Sequence, residues 1–483
     1  MKENRFLLFF LCLLFFSAKL SVAQDISLEQ AVDQALNNNS QVKQYQEKVK
    51  EKKYELNSAW GNFLPRVNVL GGYTHLSDYS KINGGQLTGS VNDIFDGYKM
   101  GLAQKIGPYV KQLPPQLQAL FGKLGQKINS IHLDIPDLEI RAKDFRTANI
   151  TALQPLYLGG KVRAGVKFAK AEHSTANIEL EELQNELIQQ TVDTYLGVAL
   201  LQKVVTTREE VLKGMKHHES QAKRLIEEGI IPAYHLLRAK VAVANAEQEL
   251  EDDKNKLDVA LLALKIHLGY SEDSVIVVSD SLRYKMNSLN LNELVNNSLV
   301  QQPKLRMIGQ KEVMVKQNLN VKRSEFLPKV FAFGEYGFFR DDLPIIQPPY
   351  AVGIQLNFNI FRGFKDYNEY RAAKAIQRQL DFAKQDAVKK VKLWVNKSFK
   401  EVLNAQDKYT KLQHTIDLAN ENLRMSDRRF KEGMGTSLEV IDARLTLQGV
   451  EVKQLQSLYE YYKALSELYV ATGNPMKVVD ILK

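Results

Sequence analysis

Cysteine is all but absent from this 483-residue chain, and its single copy, Cys12, falls in an N-terminal segment that reads as an export signal. Lys2 and Arg5 precede the apolar run Phe6 to Phe16, and Ser21-Val22-Ala23 offers the small residues of a cleavage site, so residues 1–23 are expected to be removed. The residue before Cys12 is Leu11, not the small residue that a lipid-modified cysteine requires. A mature chain beginning near Gln24 would therefore lack disulfides, a thiol nucleophile, thiolate metal ligands and an acyl anchor. Long apolar runs are missing too: the signal's run is well short of the roughly 20 residues that span a bilayer as a helix, and nothing after Gln24 is longer. Charge of one sign is also scarce. The formal net charge is +9, and Lys2, Arg5 and Lys19 against Glu3 account for two of those charges. Spread over long helices, such an excess suits solubility, and no basic patch with interleaved aromatics suggests nucleic acid. Phosphate loops, Gly-x-Ser-x-Gly elbows and His-Glu-x-x-His motifs are all lacking, so no enzyme and no cofactor are expected. His217 and His218 are adjacent and point to different sides of a helix, so no metal site is expected either.

Proline is rare where it matters. None of the thirteen lies between Pro155 and Pro232, between Pro232 and Pro303, or between Pro349 and Pro475. Proline inside a helix costs about 3 kcal/mol, so these stretches are helix territory. Within Lys161 to Leu225, Ile178, Leu180, Leu183, Leu187, Val192, Tyr195 and Leu196 keep a mixed three-and-four spacing that lays an apolar stripe along one side. Lys365 to Phe430 is a second segment of similar length. At 1.5 Å per residue each would reach roughly 100 Å, which calls for partners of equal length packed as in a coiled coil. Each segment ends at a glycine, Gly229 or Gly433, and a second helix returns over Ala233 to Leu268 or Ser437 to Thr472. Shorter helices are predicted over Leu28 to Ala59 and Leu291 to Lys322.

What is present is present twice. Leu28, Val32, Leu36, Leu56, Asn57, Phe63-Leu64-Pro65, Val67, Gly71 and Tyr73 recur 263 positions later as Leu291, Val295, Leu299, Leu319, Asn320, Phe326-Leu327-Pro328, Val330, Gly334 and Tyr336. Further along, Gly159, Lys161, Ala169, Arg224, Glu228, Gly229, Ala239 and Gly269 recur 204 positions later as Gly363, Lys365, Ala373, Arg428, Glu432, Gly433, Ala443 and Gly473. The chain reads as a tandem duplication, residues 24–289 and 290–483. The difference between the two offsets leaves 59 extra residues in the first copy, within a connection spanning about 78–145. That connection opens on Asn83-Gly84-Gly85 and contains Leu117, Leu120, Phe121 and Leu124 in amphipathic spacing. It reads either as an ordered lid or adhesion element or as a mobile, functionally neutral loop.

After each Phe-Leu-Pro triplet the period changes to two. Tyr350, Val352, Ile354, Leu356, Phe358 and Ile360 alternate with Ala351, Gly353, Gln355, Asn357 and Asn359, the pattern of a strand facing two solvents. Its partner is Val330 to Phe339, and the first copy offers Arg66 to Ser77 and Thr147 to Leu158. Strands of about 9–11 residues cross a bilayer when tilted. Four cannot close a barrel, since the smallest known have about 8, so copies of the chain would have to share one. A soluble sandwich shows the same alternation. The expected fold class is mainly α with a small β-barrel contribution.

Signal, duplicated helix–strand–strand–long hairpin order, Phe-Leu-Pro triplets, Leu156-Tyr157-Leu158-Gly159-Gly160 after a strand, and Arg428, Phe430, Gly433 and Ser437-Leu438-Glu439-Val440-Ile441-Asp442-Ala443 together resemble the TolC-like outer-membrane efflux family, from about Ser27 to Pro475. The resemblance implies a homotrimer in outer-membrane lipid, with one 12-stranded barrel continuous with a periplasmic α-barrel tunnel. It also implies hairpin tips docking on a periplasmic adaptor (membrane fusion) protein fed by an inner-membrane pump, the whole being a passive export duct. By position, Gly229, Gly433, Ser437 and Leu438 would belong to the adaptor-docking tips, and Glu439, Asp442 and Phe430 to the pore constriction. Thr436-Ser437-Leu438-Glu439 also fits a capping box, which alone would account for Glu439. Where the family often carries a tip-latching arginine and an aspartate, this chain has Gly435 and His235, and Phe430 has no hydroxyl to donate in place of the family's tyrosine. His235 could titrate near neutrality or serve structure at a helix start. The rival reading is an exported, non-transporting coiled-coil scaffold or adhesin.

Overall fold

The computed structural model describes residues 24–75, 81–82, 84–111, 113–131, 138–139, 144–280, 283–339 and 348–482; the expected export signal lies outside them. Two compact units emerge, each assembled from both copies of the repeat. A helical unit takes the described parts of Met1–Ser58, Ala164–Leu319 and Tyr367–Lys483. The other, built on a sheet, takes those of Ala59–Arg163 and Asn320–Asp366.

The helical unit begins with β1 (Gln24–Ile26), which pairs in parallel with β6 (Ile276–Val278). Ser27 then starts α1 (Leu28–Asn38) with a reciprocal capping box: its hydroxyl accepts from Gln30 N while Gln30 Oε1 accepts from Ser27 N. The segment expected as one helix from Leu28 to Ala59 is instead two, α1 and α2 (Ser40–Gly61). Its counterpart is likewise α7 (Leu291–Gln301) and α8 (Pro303–Ser324). The breaks fall at equivalent positions. Asn39 turns extended and its Oδ1 accepts from Gln41 N at 2.8 Å and Val42 N at 3.2 Å. Gln302 is extended because the ring of Pro303 excludes helical ψ from the residue before it.

Four long helices follow the lengths that periodicity suggested. α5 (Lys161–Glu227) and α9 (Lys365–Lys431) have 67 residues each, while α6 (Tyr234–Leu268) and α10 (Ser437–Ala471) have 35 each. Their principal core gathers Tyr195, Leu264, Leu268, Tyr461, Tyr462, Leu465 and Leu468 with Ala31, Val32 and Ala35 of α1 and the β1–β6 pair. The short terminal helix α11 (Met476–Leu482) joins it through Val478 and Val479. Buried tyrosines need partners for their hydroxyls. Tyr195 Oη lies 2.8 Å from Ile26 O and 2.9 Å from Asp280 Oδ2, and Tyr461 Oη donates to Lys285 O at 3.1 Å. No helix among the described residues is long and apolar enough to cross a membrane.

The second unit is an antiparallel sheet in the order β2 (Arg66–His75), β5 (Asp144–Leu158), β7 (Lys329–Gly337), β8 (Tyr350–Asn357). The neighbouring pair β5–β7 joins the two copies, while β2 and β8 are the sheet's outer strands. On β8 the apolar row is uncovered, with Val352, Ile354 and Leu356 between 67% and 76% exposed, and on β2 Val67, Val69 and Tyr73 are between 58% and 71% exposed. A Cβ on Gly353 would stand 2.8 Å from the Phe333 ring, which explains a glycine on the small face. β5 starts three residues earlier than alternation suggested. It passes Pro155, which cannot donate to the ladder, through a register shift. The long connection of the first copy contains α3 (Gly84–Val110), α4 (Pro115–Asn129) and the two-residue ladder of β3 (Lys81–Ile82) with β4 (Leu138–Glu139).

Candidate functional site: the paired hairpin tips

The two hairpins of the helical unit turn in nearly the same way. Gly229 has φ 71° and Gly433 φ 72°, the left-handed region in which a side chain is strained. Behind each glycine a six-residue hydrogen bond closes the helix end: Ile230 N donates to Leu225 O at 2.8 Å, and Met434 N to Arg429 O at 2.9 Å. The second turn is tighter. Gly435 N also reaches Arg429 O at 3.0 Å, and a Cβ on Gly435 would stand 3.0 Å from the backbone nitrogen of Phe430. Any side chain at Gly435 would press on that backbone.

The tips are fused by a small core of Ala222, Ile231, Ala239, Phe430 and Val440. Phe430 is 0% exposed, its ring centred 4.6 Å from His218 and 6.4 Å from His235. Phe430, expected at the constriction, is wholly enclosed by its own chain. Ser437, grouped above with the docking residues, is also 0% exposed. Its hydroxyl lies 2.7 Å from His218 Nε2 and its backbone N–H donates to His235 Nδ1 at 3.3 Å. His218 on α5, His235 on α6 and Ser437 on α10 thus bond one hairpin to the other. Burial is the main reason that His218 is pushed down to about 4, with Arg444 adding repulsion and Asp427 opposing it. His235 is lowered as well, by burial and then by Arg238. The Nδ1 of His218 and the Nε of Arg444 have no partner among the described residues, and the Arg444 guanidinium lies over Gly214, where a Cβ would overlap it.

From this core the first turns of α10 present two further faces. Glu439 is exposed and serves the helix start: Thr436 Oγ1 accepts from Glu439 N at 3.3 Å and donates to its carboxylate at 3.2 Å, and Arg429 lies 3.7 Å away. Asp442, one turn on, is exposed and has no hydrogen-bond or ion-pair partner among the described residues. Thr446 and Gly449 continue the same exposed polar row. The other face is apolar. Leu438, Ile441 and Leu445 line an open groove of about 430 Å³ with Leu237, Val241 and Met215 from the first hairpin. Gly229, Gly433 and Leu438 are accessible at the tip surface. No cluster of three or more metal-ligating side chains occurs among the described residues.

The fold is shared with solved outer membrane proteins. VceC of Vibrio cholerae, an outer membrane protein, shares it at a TM-score of 0.68 and 14% identity, with 92% of this chain and 96% of that one covered. The CmeC outer membrane channel of Campylobacter jejuni does so at 0.66 and 15%, over 93% and 86%, and the open-state MtrE channel of Neisseria gonorrhoeae at 0.67 and 15%, over 93% and 89%. No curated protein sequence matches the chain. Sequence alone nonetheless matches the outer membrane efflux protein family over residues 119–270 and 294–474, including both hairpin tips and the β5, β7 and β8 strands. With more than half its length matched, this chain belongs to the outer membrane efflux protein family, whose members are channels of the outer membrane with a large periplasmic helical tunnel.

Proposed function

We propose that three copies of the chain close one 12-stranded barrel and a continuous helical tunnel, forming the passive outer-membrane duct of a tripartite export system. The observation that carries this reading is the sheet. Its apolar rows are uncovered and both outer strands offer further pairing edges, so one chain cannot satisfy its backbone in lipid, whereas three sets of four strands can. In this reading the tips meet a periplasmic adaptor protein, with the groove beside Leu438 receiving an apolar helix and Gly229 and Gly433 shaping the turns. The energy comes from an inner-membrane pump. Glu439 and Asp442, i and i+3 on one exposed face, form the constriction and gather carboxylates around the axis, attracting cations.

Single-channel conductance of the purified protein in planar bilayers tests this. Wild type should carry a small cation-selective current, and Glu439→Ala with Asp442→Ala should enlarge it and weaken its selectivity. A current that the double substitution leaves unchanged returns both acids to helix capping. No current from folded, inserted protein would refute the duct.

A further inference from the structure

The insertion between β2 and β5 carries an apolar face that a single chain leaves uncovered. On α3, Ile94, Tyr98 and Leu102 follow one another at four-residue steps with Tyr109 beyond, all between 53% and 79% exposed. On α4, Leu117, Leu120, Phe121 and Leu124 keep the i, i+3, i+4, i+7 spacing of a helix that packs on something, yet no residue of α4 is buried. A helix as short as α4, 15 residues, is marginal in water alone, and exposed apolar rows of this kind mark a contact surface. Gly97 and Gly101 lie one turn apart and three residues from Ile94 and Tyr98, so they flank the same face. A Cβ on either would meet nothing within 4 Å. The missing side chains leave a shallow track along which another helix backbone can approach closely.

What covers this face can be argued from charge and connectivity. α3 carries Asp93, Asp96, Lys99 and Lys105, with Lys99 paired to Asp96 at 2.9 Å, and α4 adds Lys123 and Lys127 without an acid. The carboxylates of α3 in one copy and the lysines of α4 in another are of opposite sign, so identical insertions can complement one another. The insertion also springs from β2, the outer strand that a neighbouring copy must pair if the barrel closes. We propose that the occupant is the same insertion of a second copy, so that the insertions pack helix on helix across the outward end of the barrel. This rests on the shared-barrel reading above.

Thiol cross-linking in the full-length, membrane-inserted protein tests it, because the sequence has no cysteine beyond Cys12. Tyr98→Cys and Leu120→Cys are introduced singly and oxidised, with the mass of the solubilised protein measured in parallel by light scattering. In a trimer, covalent dimers should reach at most about two thirds of the chains, since three thiols about one axis form one pair. Adding Gly97→Leu, which fills the track, should cut the Tyr98→Cys dimer at least fivefold. A trimer whose thiols form no dimer and react freely with a water-soluble maleimide overturns the proposal. One whose thiols form no dimer but are shielded from maleimide overturns it in favour of lipid cover. A monomer mass overturns the shared-barrel reading and this proposal with it.

Discussion

Acidification should loosen the hairpin tips, and His218 sets the size of the effect. Its ring is 1% exposed, held between Ser437 and Phe430, and its folded value of about 4 lies below the 6.5 it would have when the tip opens. A group whose folded value is depressed gives its full support above 6.5 and loses it as pH falls toward the folded value. The loss of tip stability across that window is about 3 kcal/mol, from a gap of about 2.5 units at 1.36 kcal/mol each. His235 acts in the same direction, because protonating Nδ1 would set a second donor against the N–H of Ser437. Amide hydrogen exchange at Ile230, Met434 and Gly435, corrected for intrinsic pH effects, reads local opening directly. Protection there should fall about tenfold between pH 7.5 and 5.5 and on the order of 100-fold by pH 4. His218→Phe keeps a ring of similar size beside Phe430 and should remove most of that slope. Protection that is flat from pH 7.5 to 4.5, or that has the same slope in His218→Phe, would refute the reasoning.

Opposite behaviour is expected at Asp193, where burial lifts the carboxyl to about 6 against the attraction of Lys463, so its folded form favours the proton. Support from that group is complete below 3.8 and lost as pH rises through about 6, and Asp193→Asn should stabilise the helical unit by roughly 1–2 kcal/mol at pH 7.5, measured by urea unfolding. At the turns, Gly229→Ala should cost about 1 kcal/mol for its left-handed backbone alone, since a Cβ there meets nothing within 4 Å. Gly433→Ala should cost more, because its Cβ would stand 3.1 Å from Ile230 Cγ2, and Gly435→Ala should open the second tip by about 1–3 kcal/mol against the Phe430 backbone. Exchange at Ile230 reports the first substitution and exchange at Met434 the other two, and equal effects at Gly229 and Gly433 would contradict the contact.

Helix extents were legible because the signal behind them is long and repeated. Lys161 and Lys365 begin their helices as expected, and the far ends, read at Leu225 and Phe430, lie at Glu227 and Lys431. The turn glycines were legible for a similar reason, since only one residue type sits easily at φ near 70°. The break at Asn39 was not, because no proline announces it; a side chain that accepts from two backbone amides competes with the helix locally. The tip core was hidden for a different reason. His218 and Ser437 are 219 positions apart, and periodicity tells which face of a helix is apolar but not which distant helix meets it. Phe430 illustrates this, because an aromatic residue at a helix end reads alike whether it faces a tunnel or its own hairpin. His235, a titration candidate in the sequence, is held in the structure by Ser437 N and by the Tyr234 ring at 4.1 Å.

The outer strands β2 and β8 have a bearing on how such a protein is made. If barrel closure takes three chains, no protomer can finish folding in the bilayer by itself, and insertion and association become one event whose rate rises steeply with local protomer supply. Until that event the uncovered rows around Val69 and Ile354 are aggregation-prone surfaces that a carrier must shield in transit. Closure by three also makes assembly vulnerable to a minority of bad parts. When a pairing-defective chain is co-expressed in equal amount, random mixing leaves about one complete barrel in eight free of it. Lesions on β2 or β8 should therefore behave as dominant in the cell, whereas lesions confined to the helical core, which prevent a chain from joining at all, should behave as recessive.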